Sequence, residues 1–229
     1  MSSGDRVAQS EHAGARDRPV PRWMAERLLP GRRLFVAVPL PPPSCAAVET
    51  LVAGVREEMR GHAGRAGASS DREVRWVRLD GLHLTLRFLG PTLDERLPSI
   101  EAAMRDAAAG AAPFRVSLAG AGAFPAATRP RVLWLGVPEG ADALGALAGR
   151  LDDGLVRAGW ARDERPFRAH LTLARADGIP AGAATAAALL EVARGFATAW
   201  TADRIVLFES HTGGGPARYE ALREAALAG

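Results

Sequence analysis

The sequence predicts a two-lobed α+β protein in which a pseudo-twofold pair of antiparallel sheets, with outer helices, encloses a central cleft. Three observations predict this fold. Strand and helix patterns alternate along the chain, one strand pattern occurs twice, and the histidines of the two copies lie 87 positions apart. Because that separation is roughly half of the folded region, the chain has the organisation of a duplicated unit.

The repeated pattern is an amphipathic strand with a histidine and a threonine on its polar face. The first copy, residues 82–90, reads LHLTLRFLG, and the second, residues 169–175, reads AHLTLAR. Apolar and polar residues alternate, as in a half-buried strand. His83 and Thr85 therefore share one face of the first strand, and His170 and Thr172 share one face of the second.

The remaining elements are predicted from hydrophobic periodicity and turn residues. Residues 1–31 are rich in Ser, Gly, Ala, Asp and Arg without sustained periodicity, so we expect a disordered N-terminal extension. Residues 32–229 are expected to form a single bilobal domain. Its other predicted strands lie at 33–40, 114–118, 131–137, 204–208 and 217–219, and its predicted helices at 44–59, 92–108, 141–158 and 181–196.

Two local motifs predict how elements join. The Asp80-Gly81 pair lies between the apolar segment 74–77 and the first histidine strand, which is a typical hairpin signal. Thr92 and Glu95 have the spacing of a capping box, which places the start of the next helix at Thr92.

Composition limits the classes of function. With 48% hydrophobic and 24% charged residues, the chain is ordinary for a globular protein. It contains no lysine, and its net charge of +3 is compatible with a polyanionic ligand without requiring one. The single cysteine, Cys45, excludes an intramolecular disulfide and fits a cytoplasmic location. No apolar run approaches the length of a membrane span.

Two histidines facing one cleft are suited to acid–base chemistry on a phosphate. One neutral imidazole can accept a proton from water while the other, protonated, donates to the leaving oxygen. Threonine hydroxyls on the same faces can donate to the non-bridging oxygens. A structural role fits either histidine alone, and the matched pair favours catalysis. A two-histidine metal site stays open as an alternative, although no clustered carboxylates are visible to complete it. The sequence contains no Gly-x-Ser-x-Gly or His-Glu-x-x-His motif.

These two motifs resemble the paired motifs of the 2H phosphoesterase superfamily. They are most similar to those of its RNA 2′,3′-cyclic phosphodiesterase branch, the LigT-like or 2′-5′ RNA ligase family. The opening strand at 33–37, the segment at 130–136 and the ending from Phe208 to Tyr219 are similar as well. The resemblance therefore spans residues 33–222. One departure is Ala169, which stands where the family usually has proline before the second histidine.

The resemblance implies hydrolysis of a 2′,3′-cyclic phosphate to a 2′-phosphomonoester, without metal or other cofactor, and with weak reverse 2′-5′ ligation. It implies that His83 is the proton donor and His170 the proton acceptor, while Thr85 and Thr172 hold the phosphate. The expected partner is RNA or an oligonucleotide with a 2′,3′-cyclic phosphate end. We expect a monomer with no membrane contact.

Two further substrate-binding residues are implied by the same resemblance. Arg175 matches an arginine that the family uses near the substrate. Plain strand alternation puts Arg175 off the His170 face, so it is expected to reach the phosphate from the strand end. Phe35 is expected either to stack on a nucleobase or to be a core aromatic.

Two alternatives remain open. Another 2H activity, on 2′-5′ oligoadenylate or on ADP-ribose cyclic phosphate, would share the two-histidine chemistry and differ in the pocket. A non-catalytic RNA-binding module would use the basic cleft and show tight, salt-sensitive binding without turnover. The second alternative does not explain why the His-x-Thr strand occurs twice.

Overall fold

The computed structural model describes residues 31–63, 73–213 and 215–229, leaving aside the side chains of residues 62 and 63. The predicted disordered extension, apart from Gly31, lies outside the described residues. The described strands are β1 (Arg32–Pro39), β2 (Val74–Trp76), β3 (His83–Thr92), β4 (Phe114–Phe124), β5 (Val132–Gly136), β6 (His170–Ala176), β7 (Ala197–Ala202), β8 (Arg204–His211) and β9 (Arg218–Ala226). The described helices are α1 (Pro42–Ala63), α2 (Leu97–Ala109), α3 (Ala141–Arg157) and α4 (Ile179–Val192).

The strands form two sheets in which every neighbouring pair is antiparallel. Sheet A has the order β3-β1-β8-β9, and sheet B has the order β2-β6-β5-β4-β7. This arrangement confirms the predicted α+β fold class. The two histidine strands, β3 and β6, belong to different sheets and contact each other where the sheets meet.

Each sheet is covered by a pair of helices. Helices α1 and α4 pack together over sheet B, and α2 and α3 pack together over sheet A. Helix α1 follows a strand of sheet A and α3 follows a strand of sheet B, so each crosses to the opposite lobe. As a result the buried apolar side chains of both lobes form one continuous cluster. No described helix has both the length and the apolar composition that crossing a bilayer requires.

Periodicity explains why these segments fold as predicted. In β1, Leu34, Val36 and Val38 alternate into the core and are almost fully buried. In α1, the apolar stripe of Val48, Leu51, Val52 and Val55 is buried against sheet B as a helical period requires.

The predicted hairpin between β2 and β3 is wrong. Strand β2 pairs with β6 in sheet B, and residues Leu79–Gly81 form a 3₁₀ turn that carries the chain to sheet A. The pairing of β2 with β6 is reinforced by an ion pair between Arg75 Nε and Asp177 at 2.6 Å. A long-range partner therefore overrides the local turn signal.

The predicted capping box at Thr92 and Glu95 is also wrong. Thr92 is the last residue of β3, where it pairs with Arg32 of β1, and its hydroxyl donates to the carbonyl oxygen of Gly90 at 3.1 Å. Helix α2 begins only at Leu97, after a 3₁₀ turn at Asp94–Arg96. The threonine is buried by strand pairing and is not available as a cap.

Candidate active site

A cleft of about 1140 Å³ lies between the two histidine strands. All the site residues predicted from the sequence line it, namely His83 and Thr85 of β3, His170, Thr172 and Arg175 of β6, and Phe35 of β1. The fold thus brings both His-x-Thr motifs to a single site, one from each sheet.

The two histidines are held by the same hydrogen bond at the same motif position. His83 donates from Nδ1 to the carbonyl oxygen of Gly81 at 2.7 Å, and His170 donates from Nδ1 to that of Arg168 at 2.7 Å. A carbonyl oxygen only accepts, so Nδ1 carries the hydrogen in each ring. The Nε2 atoms are therefore the ones left for proton transfer.

His83 lies in an aromatic environment that favours its neutral form. Its ring centroid is 4.6 Å from that of Phe35 and 4.9 Å from that of Tyr219, which it meets edge to face. Burial lowers the pKa of His83 to about 4, with the hydrogen bond to Gly81 acting in the opposite direction. His83 is therefore neutral near pH 7 when no anion is bound beside it.

His170 has a different setting on the other wall. Its ring meets Phe124 of β4 edge to face, with centroids 5.3 Å apart. It is only partly buried, and Arg168, whose carbonyl holds it, belongs to the connector before β6. The two imidazoles of the pair are therefore placed in unequal environments.

A β-bulge places Arg175 on the cleft face. Two successive residues of β5 pair with Thr172 and Ala174 of β6, so Leu173 is an extra residue in the strand. Leu173 and Ala174 are both fully buried, and Arg175 returns to the side occupied by Thr172. The prediction that Arg175 lies off the His170 face is therefore wrong, because it assumed unbroken alternation.

Strand β3 has a matching bulge, and it places Phe88 in the cleft. Thr85 pairs with Ala37 of β1 whereas Arg87 pairs with the adjacent Val36, so one residue of β3 is extra and Phe88 comes to lie opposite Phe35. Phe88 follows His83 by five positions, as Arg175 follows His170, and the residue is 54% exposed. Sequence reasoning missed Phe88 because plain alternation assigns it to the core face.

Phe35 is a buried residue that packs against the ring of His83. It is only 2% exposed, and its ring packs on His83, Phe208 and Tyr219. This burial matches the core-aromatic alternative, and stacking of Phe35 on a nucleobase stays a prediction. The sequence indicates Tyr219 only as part of the chain ending, yet its ring meets that of Phe35 at 5.2 Å and lines the same cleft. Burial raises the pKa of Tyr219, and the nearby charge of Arg175 opposes this rise.

Arg87, two positions after Thr85 in the first motif, links β3 to helix α3 and to the connector that follows this helix. Its Nε lies 2.9 Å from Asp152 of α3 and its Nη1 lies 3.2 Å from Asp163. Its Nη2 also donates to the carbonyl oxygen of Ala161. Two carboxylates therefore occupy this guanidinium, which ties β3 to the connector that follows α3 and leaves no charge for a phosphate.

One group among the described residues has the composition of a metal site. Glu209, His211 and Glu220, at the ends of β8 and β9, offer ligand atoms within 4.8 Å of one another. However, Arg32 pairs with Glu209 at 2.6 Å, and His211 pairs with Glu220 at 3.2 Å. These contacts describe an ion-pair cluster outside the histidine pair, and no step of the chemistry below uses it.

The comparison with known families decides the relationship. Residues 40–214 match the family described as the 2′-5′ RNA ligase superfamily. The chain belongs to this superfamily. The match includes both His-x-Thr strands and confirms the relationship that the motifs predict.

Two proteins named RNA 2′,3′-cyclic phosphodiesterase are similar to this chain over most of their own length. The RNA 2′,3′-cyclic phosphodiesterase of Escherichia coli is 30% identical over 197 residues, which cover 86% of this chain and 97% of that protein. The protein of the same name from Methanothermobacter thermautotrophicus is 37% identical over 131 residues, covering 56% and 70% respectively.

Two solved structures are similar to this chain in fold. The protein TT0787 of Thermus thermophilus has a TM-score of 0.63 and 28% identity, over 86% of this chain and 98% of that one. E. coli LigT complexed with 3′-AMP has a TM-score of 0.58 and 28% identity, over 86% and 99%.

Proposed function

We propose that this protein is a phosphoric diester hydrolase that opens 2′,3′-cyclic phosphate ends of RNA to 2′-phosphomonoesters. The observation that carries the proposal is the pair of histidines from separate sheets. Each is held through Nδ1 at 2.7 Å, each is followed by a threonine on its face, and both line one cleft. The names of the similar proteins support RNA 2′,3′-cyclic phosphate as the substrate.

The reaction needs one base and one acid on opposite sides of the phosphorus atom. His170 Nε2 accepts a proton from water as the water oxygen forms a bond to phosphorus. The bond from phosphorus to the 3′-oxygen breaks, and His83 Nε2–H protonates that oxygen. The product carries a 2′-phosphate and a 3′-hydroxyl. Afterwards His170 is protonated and His83 neutral, and exchange with solvent restores the starting state.

His83 can act as the acid only if it takes up a proton when substrate binds. In the unliganded cleft burial keeps its pKa at about 4. An anionic phosphate placed beside Nε2 favours the imidazolium and raises the pKa. Binding is therefore coupled to protonation, so the acid is formed where the substrate charge is present.

The remaining groups stabilise negative charge on the phosphate. The hydroxyls of Thr85 and Thr172 donate to the two non-bridging oxygens, where charge increases in the transition state. Arg175 is exposed on the same face and adds a charge-assisted hydrogen bond. We propose that no metal or other cofactor takes part. We further propose a monomer, because one chain supplies both histidines. We also propose that it acts in the cytoplasm, in keeping with its single cysteine.

Replacement of the two histidines tests the proposal. His83→Ala and His170→Ala should each lower kcat/KM for adenosine 2′,3′-cyclic phosphate by roughly 10²–10⁴-fold. The double variant should be little worse than the weaker single variant, because the pair acts as a unit. Circular dichroism verifies that each variant is folded. Wild-type turnover by either folded single variant contradicts the mechanism.

A further inference from the structure

Two of the arginines that line the cleft have no acidic partner. Three others are neutralised, since Arg87 contacts Asp152 at 2.9 Å, Arg162 contacts Asp153 at 2.8 Å and Arg165 contacts Asp163 at 3.6 Å. Arg33 and Arg175 form no ion pair or side-chain hydrogen bond with any described residue. Arg175 is assigned above to the reacting phosphate. Arg33 is a second unpaired positive charge for which that reaction has no use.

Arg33 lies where the cleft joins a second cavity. This cavity has a volume of about 480 Å³ and shares Arg33, Ser210 and Thr212 with the cleft. The antiparallel register that pairs Leu34 with Glu209 brings Arg33 next to Ser210 in the adjoining strand. The side-chain hydroxyls of Ser210 and Thr212 form no hydrogen bond with a described residue. A guanidinium and two free hydroxyls are donors suited to a phosphate.

The other charges around the second cavity do not cancel Arg33. Among the described residues its one lining carboxylate, Glu209, pairs with Arg32 at 2.6 Å. His211 contacts Glu220, and Arg218 adds a further positive charge on the rim. The net potential at the junction therefore favours an anion.

We propose that Arg33, with Ser210 and Thr212, binds the 5′-phosphate of the terminal nucleotide, which in RNA is the phosphodiester leading to the rest of the chain. The inference rests on the proposed function and specifies its substrate class. The enzyme acts on chain ends, and a free cyclic nucleoside monophosphate occupies only part of the site. Two unpaired arginines then serve two phosphates, Arg175 the reacting one and Arg33 the next one along the strand.

Two small substrates that differ by one phosphate test the subsite. The wild-type enzyme should prefer 5′-phosphoadenosine 2′,3′-cyclic phosphate over adenosine 2′,3′-cyclic phosphate in kcat/KM. Arg33→Gln should reduce this preference about 10-fold, as expected when one charged hydrogen bond is lost. Arg194→Gln is the matched control for net charge, because Arg194 pairs with Glu191 at 2.9 Å and does not line the cleft. It should leave the preference unchanged.

Two kinetic outcomes overturn the subsite. One is an unaltered preference in Arg33→Gln, and the other is an equal loss with both substrates, which would place Arg33 at the shared phosphate. If the wild-type protein turns over neither compound, the proposed function fails, and calorimetry decides the subsite separately. Arg33→Gln should then weaken binding of adenosine 2′,5′-bisphosphate about 10-fold and leave adenosine 2′-monophosphate unaffected. Equal affinities of the wild-type protein and the Arg33→Gln variant for the bisphosphate would reject the proposed phosphate subsite.

Discussion

Gly81 lies against the ring of Tyr219, so closely that a β-carbon at position 81 would come 3.0 Å from Tyr219 Cδ2. Gly81 ends the 3₁₀ turn that leads into β3, one edge strand of sheet A, whereas Tyr219 belongs to β9, the other edge strand. The sheet must curl for the two residues to meet. The carbonyl of Gly81 also accepts the Nδ1 hydrogen of His83, while the ring of Tyr219 meets the same imidazole edge-on. This contact therefore fixes His83 from two sides.

Gly81→Ala should therefore disturb catalysis more than folding. The added methyl group pushes the Tyr219 ring by a few tenths of an ångström and shifts the support of His83. We expect a drop in kcat of about 10-fold, because small displacements of a catalytic group are costly. Gly149→Ala in α3 is the control, since a β-carbon there meets no atom within 4 Å. Wild-type kcat in Gly81→Ala would show that the contact is not needed.

Stability should depend on pH through His83. The unfolded chain binds this proton near pH 6.5, whereas the folded protein binds it only near pH 4. Unfolding therefore takes up a proton in this window, and the free energy of unfolding should fall by roughly 2–4 kcal/mol as the pH is lowered through it. Urea denaturation at several pH values measures the effect. His83→Asn should flatten this part of the profile, and an identical profile in both proteins would reject the burial of His83.

The Arg87 cluster should contribute to stability. The side chains of Arg87 and Asp152 are each 12% exposed, so Arg87→Gln leaves a poorly solvated carboxylate. We expect a loss of about 2–4 kcal/mol in the free energy of unfolding. Arg162→Gln is the matched control, because Arg162 contacts the same Asp152 but is 59% exposed. Its loss should stay below about 1 kcal/mol, and equal losses would refute the role of burial.

Phe88 and Phe35 should respond differently to substitution. The exposed ring of Phe88 lies on the cleft face, so Phe88→Ala should raise KM for a cyclic nucleotide about 10-fold through lost base stacking. The buried ring of Phe35 makes Phe35→Leu a packing change, with a loss of about 1–2 kcal/mol in unfolding free energy. A larger KM effect at Phe35 than at Phe88 would reverse this assignment.

The positions of the motif histidines and threonines could be predicted because apolar and polar residues alternate in both motifs. His83, Thr85, His170 and Thr172 all lie on the faces that the alternation predicts. The faces of Phe88 and Arg175, five positions after each histidine, could not be predicted in this way. Each follows a bulge, and the bulge depends on how the strand pairs with its partner strand. One extra residue moves every later side chain of the strand to the opposite face of the sheet. Neither HLTLRF nor HLTLAR contains a local signal that predicts such a bulge.

Long-range contacts account for the other errors. Strand β2 pairs with β6, about 100 residues later, and this pairing defeats the Asp-Gly hairpin signal. Arg87 is neutralised by Asp152 and Asp163, which no local pattern connects to it. The close approach of Gly81 and Tyr219 depends on the curl of sheet A, a property of four strands together.

The most direct test of the central claim is incubation with adenosine 2′,3′-cyclic phosphate in excess EDTA, with the product followed by ³¹P NMR. Acid–base catalysis by His83 and His170 predicts undiminished turnover and a single product, adenosine 2′-monophosphate. No turnover, loss of turnover caused by EDTA, or formation of the 3′-monophosphate would contradict it.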